Sequence, residues 1–384
     1  MSKKKSVLVT GGKGFIGFNL CKKLLDDGES VVVVDNGASG EYVIEHDNIE
    51  YFNMDINDIE YNAEVVLKKY KVVYHLAALP RIQFSLRNPR YVFKANALGT
   101  QTLLDTIVRN GIPIVYAGTS SVHGDVTDNP YTLTKFFGEK LIETYCKHYN
   151  VNAAVTRFYN VYGNPNTYQD DYGLVMTIFE KQYRNGEKLT VTGDGEQRRD
   201  FTHVEDICDG FILAAKRLIN GKMTGYNEFE LGTGHNYSIN ELAKMFGREI
   251  KYIPARDGEM RETLANNSRA KGILNWFPKD RLKEYVDSIT NSTTDWIEQD
   301  DWSGHAPFIE DATDWTCSHC GDDTSKIEYD YIGEGTNHLE CDMKNWEDNE
   351  ARMDIIGQNG NDGLHYEELE PDENDLPKIK KERK

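Results

Sequence analysis

No stretch of the 384-residue sequence is apolar for long enough to span a bilayer. The lysines at 3–5 lead into a short strand-like run, not into a signal-peptide core. The expectation is a soluble, cytoplasmic chain without a membrane partner. Paired cysteines are missing from the first 290 residues. Cys21, Cys146 and Cys208 stand singly, which suits a reducing compartment and excludes a disulfide scaffold. An excess of positive charge is missing too. The formal charge is −19, and residues 291–384 carry 26 Asp+Glu against 8 Lys+Arg, while residues 1–290 are nearly balanced at 37 against 36. Nothing there makes a nucleic-acid footprint, and the acidic end would repel phosphate. Internal repeats are absent. What remains, 39% hydrophobic and 11% aromatic residues, is enough for a substantial core.

That core is patterned. SVLVT (6–10), SVVVVD (30–35), IEYFNMD (49–55), KVVYHLAA (71–78), IPIVYAGTS (112–120) and VNAAVTRF (151–158) read as buried strands. Segments with helical spacing lie between them, notably 89–109 and 131–149. Continuously apolar strands alternating with helices predict an α/β fold whose parallel sheet is covered on both faces. TGGKGFIG (10–17) joins the first strand to the first helix, and Asp35 ends the second strand. Gly11, Gly14 and Gly17 permit a tight turn, backbone approach to a pyrophosphate and close helix–strand packing. The helix N-terminus then offers amides to the anion. An acid at the end of the second strand accepts the ribose hydroxyls and repels a 2′-phosphate, so the cofactor expected is NAD rather than NADP.

PYTLTK (130–135) sets Tyr131 and Lys135 on one helix face, just after AGTSSVHG (117–124). With the glycine loop, HLAA (75–78), NALGT (96–100), RFYNVYGNP (157–165), GDGEQRRDFTHVEDICDG (193–210) and PARDGEM…NNSRA…LNW (254–276), the chain resembles the extended short-chain dehydrogenase/reductases. Within these it resembles the NAD-dependent nucleotide-sugar epimerase/dehydratase family, over about residues 6–290. The resemblance implies a Rossmann-type doubly wound domain over 1–160, to which 200–220 return. A smaller substrate-binding domain then occupies most of 161–290, and 291–384 form an acidic appendage. It also implies a homodimer through a four-helix contact of 89–109 and 131–149.

The resemblance assigns roles. Tyr131 would be the base, Lys135 would stabilise its phenolate and hold the nicotinamide ribose, and Thr119 would orient the same sugar oxygen. The cofactor would be contacted by Gly11, Gly14, Phe15, Ile16 and Gly17, by Asp35 and Asn36, and by Asp55 and Ile56. Leu76, Ala77 and Ala78 with Asn96 and Phe158 complete that set. Substrate contacts would come from Ser85, Thr119, Ser120, Ser121, Asn160 and Thr263, with Arg199 and Arg256 clamping a diphosphate. Resembling dehydratases and decarboxylases carry a Glu, in the dehydratases after Asp or Ser, close behind the catalytic Thr. Here Ser120 and Ser121 stand there, without a carboxylate. The reaction implied is therefore epimerisation at C4 of a UDP-hexose or UDP-N-acetylhexosamine, the small Thr263 leaving room for an acetamido group. Dehydration or decarboxylation with an acid from elsewhere, and a non-catalytic NAD-binding scaffold, are the alternatives.

Two departures stand out. Only DVTDNP separates Gly124 from Tyr131, which suggests a trimmed pocket wall, and His123 replaces the usual Tyr, as a neutral filler. In the appendage Cys317, Cys320, His338 and Cys341 have the spacing of a Cys3His zinc site, with His319 the competing ligand. The stretch beyond about 357 reads as disordered.

Overall fold

The structure is a computed structural model and describes residues 5–164, 174–255 and 260–291. Among the described residues twelve strands are formed: β1 Ser6–Thr10, β2 Val31–Asp35, β3 Ile49–Asn53, β4 Tyr70–His75, β5 Ile114–Thr119, β6 Ala153–Phe158, β7 Asn160–Tyr162, β8 Leu189–Thr192, β9 Arg198–His203, β10 Tyr226–Leu231, β11 Asn236–Ser238 and β12 Ile250–Ile253. The α-helices are α1 Phe15–Asp26, α2 Ala63–Val66, α3 Ile82–Arg87, α4 Pro89–Phe93, α5 Gly99–Thr106, α6 Pro130–His148, α7 Val175–Arg184, α8 Val204–Ile219, α9 Ile239–Phe246 and α10 Leu282–Thr290.

Seven strands make one sheet in the order β10-β6-β5-β4-β1-β2-β3, every pair parallel. The period-2 pleat splits the valine runs between two cores. Val7, Val9, Val31 and Val33 point to the face packed by α1 and α8, while Leu8, Val32 and Val34 point to the other, with Leu103, Leu104 and Ile142. The six strands read from the sequence are all present. The seventh, β10, was not read as part of this sheet: its YNEFEL is polar at alternate positions because an edge strand meets solvent.

The segment 89–109 is helical without a break from 89 to 106, but not α-helical throughout. Between α4 and α5 the chain makes a π turn at Lys94–Leu98, and a 3₁₀ turn follows at Val108–Asn110. α6 is continuous. Asn129 caps it by accepting from the Thr132 N–H at 2.8 Å, and Pro130 occupies the first turn.

Beyond the large sheet, β11-β9-β7 and β12-β8 form two small sheets. With α7, α9 and α10 they enclose a third core around Phe179, Leu189, Leu242 and Val286. No helix among the described residues is long and apolar enough to cross a membrane.

Candidate active site

The cleft runs across the C-terminal ends of the central strands, where β1 and β4 lead away from each other to opposite sides of the sheet. Its cavity is about 870 Å³. At one end the turn after β1 is packed to its limit. Gly11 has φ +76°, and a Cβ there would lie 2.6 Å from the Ala77 nitrogen. A Cβ on Gly17 would lie 2.0 Å from the Gly11 carbonyl oxygen. Gly14, Phe15 and Ile16 continue this wall into α1. Asp35 stands at the end of β2, its carboxylate accepting from the Lys13 N–H at 2.9 Å and the Gly37 N–H at 2.8 Å. Burial raises its pKa and those two amides oppose the rise. Asn36, Asp55, Ile56, Leu76, Ala77, Ala78 and Phe158 also line the cleft. Asp55 is held by Asn57, whose N–H donates at 2.9 Å and whose side-chain amide donates at 2.7 Å.

At the centre, β5 delivers Thr119 and the first turn of α6 delivers Tyr131, both onto the cleft wall. The Ser121 N–H donates to the Thr119 hydroxyl at 3.3 Å, which in turn donates to the Ser121 hydroxyl at 3.2 Å. Lys135 lies one turn along α6, only 3% exposed, with Nζ 4.1 Å from the centre of the Tyr116 ring. Burial raises the Tyr131 pKa, with only the Thr119 hydroxyl opposing it. Burial also pushes Lys135 down to about 7, against the pull of Glu139. The dry wall disfavours the charged form of both groups.

At the far end Ser120, Ser121, Asn160, Arg199 and Thr263 line the same cavity. The Thr263 hydroxyl accepts from the Asp200 N–H at 3.4 Å, and its own N–H donates to the Arg198 carbonyl at 3.1 Å. Asp200, fully buried, accepts from the N–H groups of Thr233, Gly234 and Ala265 and so ties both pocket segments together.

Two expected residues do not reach the cavity wall. Ser85 is fully buried and its hydroxyl donates to the Ile82 carbonyl at 2.7 Å, so it closes its own helix turn. Asn96, inside the π turn, accepts from the Leu79 N–H at 2.8 Å and donates to Thr134 at 3.1 Å. It holds the wall rather than forming it. Arg256 and the four expected zinc ligands Cys317, Cys320, His338 and Cys341 lie outside the described residues. Among the described residues no group of three or more His, Cys, Asp or Glu could hold a metal ion.

The short loop changes the wall in a way the sequence did not reveal. The thioether of Met260 would meet a Cβ on Gly124 at 3.7 Å, so this side chain lies against the loop and lines the cleft. Arg81, Tyr159 and Gln197 line it as well; Tyr159 and Gln197 lie inside quoted motifs, but residue type alone gave them no role. His123 is more than filler: it stacks on Tyr159 with ring centres 6.5 Å apart and puts Nε2 3.4 Å from Glu230, which also accepts from the Tyr159 hydroxyl at 2.7 Å.

Comparison with known proteins places this geometry. The NAD dependent epimerase/dehydratase family matches residues 7–228. A UDP-glucuronate 4-epimerase of Thermodesulfobacterium geofontis is 31% identical over 76% of this chain and 97% of its own. UDP-glucuronic acid decarboxylase 1 of Xenopus tropicalis is 30% identical over 73% of this chain and 70% of its own. Among solved structures, the UDP-N-acetylglucosamine 4-epimerase of Methanobrevibacter ruminantium, in complex with UDP-N-acetylmuramic acid, superposes with a TM-score of 0.68. It shares 26% identity, over 75% of this chain and 98% of its own.

Proposed function

Because this chain belongs to the NAD dependent epimerase/dehydratase family, we propose that it is an NAD-dependent 4-epimerase of a UDP-hexose or UDP-N-acetylhexosamine. The observation that carries the reading is the meeting of Thr119, Tyr131 and Lys135 on one cleft wall, with two serines and no carboxylate just past the end of β5. The cradle fits the cofactor. Gly11 and Gly17 leave no room for a side chain, the start of α1 faces the cleft, and Asp35 is fixed by two amides at the end of β2. When bound, NAD supplies hydride acceptance and return at the sugar carbon.

The chain does the rest. Tyr131 takes the proton of the C4 hydroxyl and later gives it back. Thr119 fixes that oxygen, and Lys135 offers its ammonium to the phenolate and to the nicotinamide ribose. Arg199 and Asn160 hold the diphosphate, while Thr263 and Met260 border the hexose, which must turn over between the two hydride transfers. Residues 291–384 add an acidic module in which Cys317, Cys320, His338 and Cys341 would hold a structural zinc. Metal analysis of the purified chain, against a Cys317→Ser variant, decides that point.

The test is to incubate the protein with UDP-glucose, UDP-N-acetylglucosamine, UDP-glucuronate and GDP- and dTDP-sugars and follow products by mass and chromatography. Isobaric C4 epimers are expected. Loss of water or carbon dioxide would assign an elimination or decarboxylation instead, with Asp125 or Asp128, the acids of the short loop on the cleft wall, as the group responsible. No turnover with bound NAD would leave the scaffold reading.

A further inference from the structure

Beneath Lys135 lies a charge pair that the mechanism above does not use. Glu139, one helical turn further along α6, is fully buried, an unusual place for a carboxylate. Arg157 on β6 donates to it from Nη2 at 2.8 Å and from Nε at 3.3 Å to both oxygens. The same guanidinium reaches Glu228 on β10 at 2.9 Å. The pair is walled in. A Cβ on Gly118, the residue before Thr119, would lie 2.9 Å from the Glu139 Oε1 and 3.1 Å from the Arg157 Cγ. So the carboxylate packs against the strand end that carries Thr119 and on the helix that carries Tyr131 and Lys135.

Resting on the epimerase reading, we propose that Glu139 is a positioning residue for the reaction: clamped by Arg157, its buried negative charge keeps the Lys135 ammonium charged in a wall too dry to hold it unaided. The groups facing Lys135 are few. Tyr131 and Glu139 share its helix, Tyr116 lies under it on β5, and His75 on β4 interacts with its charge. Facing Glu139 are Arg157, Tyr116 and, on β10, Tyr226 and Glu228. Of these only Glu139 is an anion acting on Lys135, and it is the group that opposes the effect of burial there. Arg157 prevents the carboxylate from being an unpaired buried charge, which the fold would not tolerate. Its fork fixes both oxygens, so the anion cannot swing away from the helix turn below Lys135.

The test reads Lys135 directly, without substrate. The cofactor-free full chain is pulse-labelled with acetic anhydride across pH 5–10, and Lys135 modification is quantified by peptide mass spectrometry. In the natural chain the midpoint is expected near 7. Glu139→Gln should lower it by about one to two pH units, since a neighbouring opposite charge contributes that much. Glu139→Asp, with a shorter arm, should fall between the two and so covers the case in which the Gln variant does not fold. In the epimerase assay, kcat/KM of Glu139→Gln should fall further behind the natural chain as pH rises from 6 to 8, reaching about tenfold. A purely structural role would lower activity equally at all pH values. An unchanged Lys135 midpoint in either folded variant overturns the inference. A natural chain that epimerises nothing, with the midpoints shifting as stated, overturns the functional reading instead.

Discussion

Tyr131 and Lys135 illustrate how a residue pair acquires meaning from its wall. Alone, four positions apart on a helix, they are an ordinary surface spacing. The fold puts the lysine in a dry wall, sets the phenol against Thr119, and lets burial oppose both charges. Tyr131→Phe should therefore lower kcat by roughly a hundred- to ten-thousand-fold, while NAD still binds, as read by equilibrium dialysis. Retained turnover would exclude the phenol as base. His75 makes a prediction about stability. It is buried, with Nδ1 2.7 Å from the Thr10 hydroxyl and Nε2 2.9 Å from that of Thr100. Burial, aided by the Lys135 charge, depresses its pKa from 6.5 to about 3. Between those values the unfolded chain holds a proton that the fold refuses. The stability is complete above 6.5 and is lost, at about 1.4 kcal/mol per pH unit, as pH falls below it. His75→Gln should remove that slope. Between pH 6.5 and 5 its urea-derived stability should fall by about 1.5–2 kcal/mol less than that of the natural chain. Parallel losses would show that other groups govern the acid response.

At the level of elements, the β1–α1 turn is the least forgiving. Because a Cβ on Gly17 would overlap the Gly11 carbonyl, Gly17→Ala must open the turn. We expect a loss of about 1–3 kcal/mol in stability and of NAD binding. Gly14→Ala, whose added carbon would sit at an ordinary 3.5 Å from the same oxygen, should keep the melting temperature. Equal melting temperatures for both variants would refute the packing argument. This turn was legible from the sequence because its glycines, strand and helix follow one another directly. Three features were not. The polar edge strand β10 gives no apolar run. The π turn at Lys94–Leu98 leaves helical periodicity almost undisturbed while rotating Asn96 into the core. Ser85 has the residue type of a ligand contact but is used up by its own helix, which only the side-chain geometry reveals.

The whole molecule presents one further surface. Tyr91 and Phe93 on α4, Leu98 after it, and Leu133 and Phe137 on α6 are each 42–46% exposed, and the rings of Phe93 and Phe137 lie 6.2 Å apart. Exposed apolar side chains on neighbouring helices suit association, and we propose that these form the four-helix contact of a homodimer. Phe93→Asp with Phe137→Asp should give a monomer by light scattering at micromolar concentration, with secondary structure intact. A natural chain that is already monomeric would dispose of the reading.

By itself the sequence determined what depends on local order: the strand–helix alternation, the glycine turn, the acid ending β2, the Tyr–Lys spacing, and the absence of a carboxylate after Thr119. Each is set within a few residues, by backbone sterics or by the period of an element. Only the tertiary structure decided what depends on distant segments meeting. Met260 packs against the loop at Gly124, Asp200 on β9 bonds Thr263, and Arg157 clamps Glu139 one turn along from Lys135. Burial, not chain order, sets the charge of a lysine and an imidazole, and burial exists only once the sheet and its helices have closed over them.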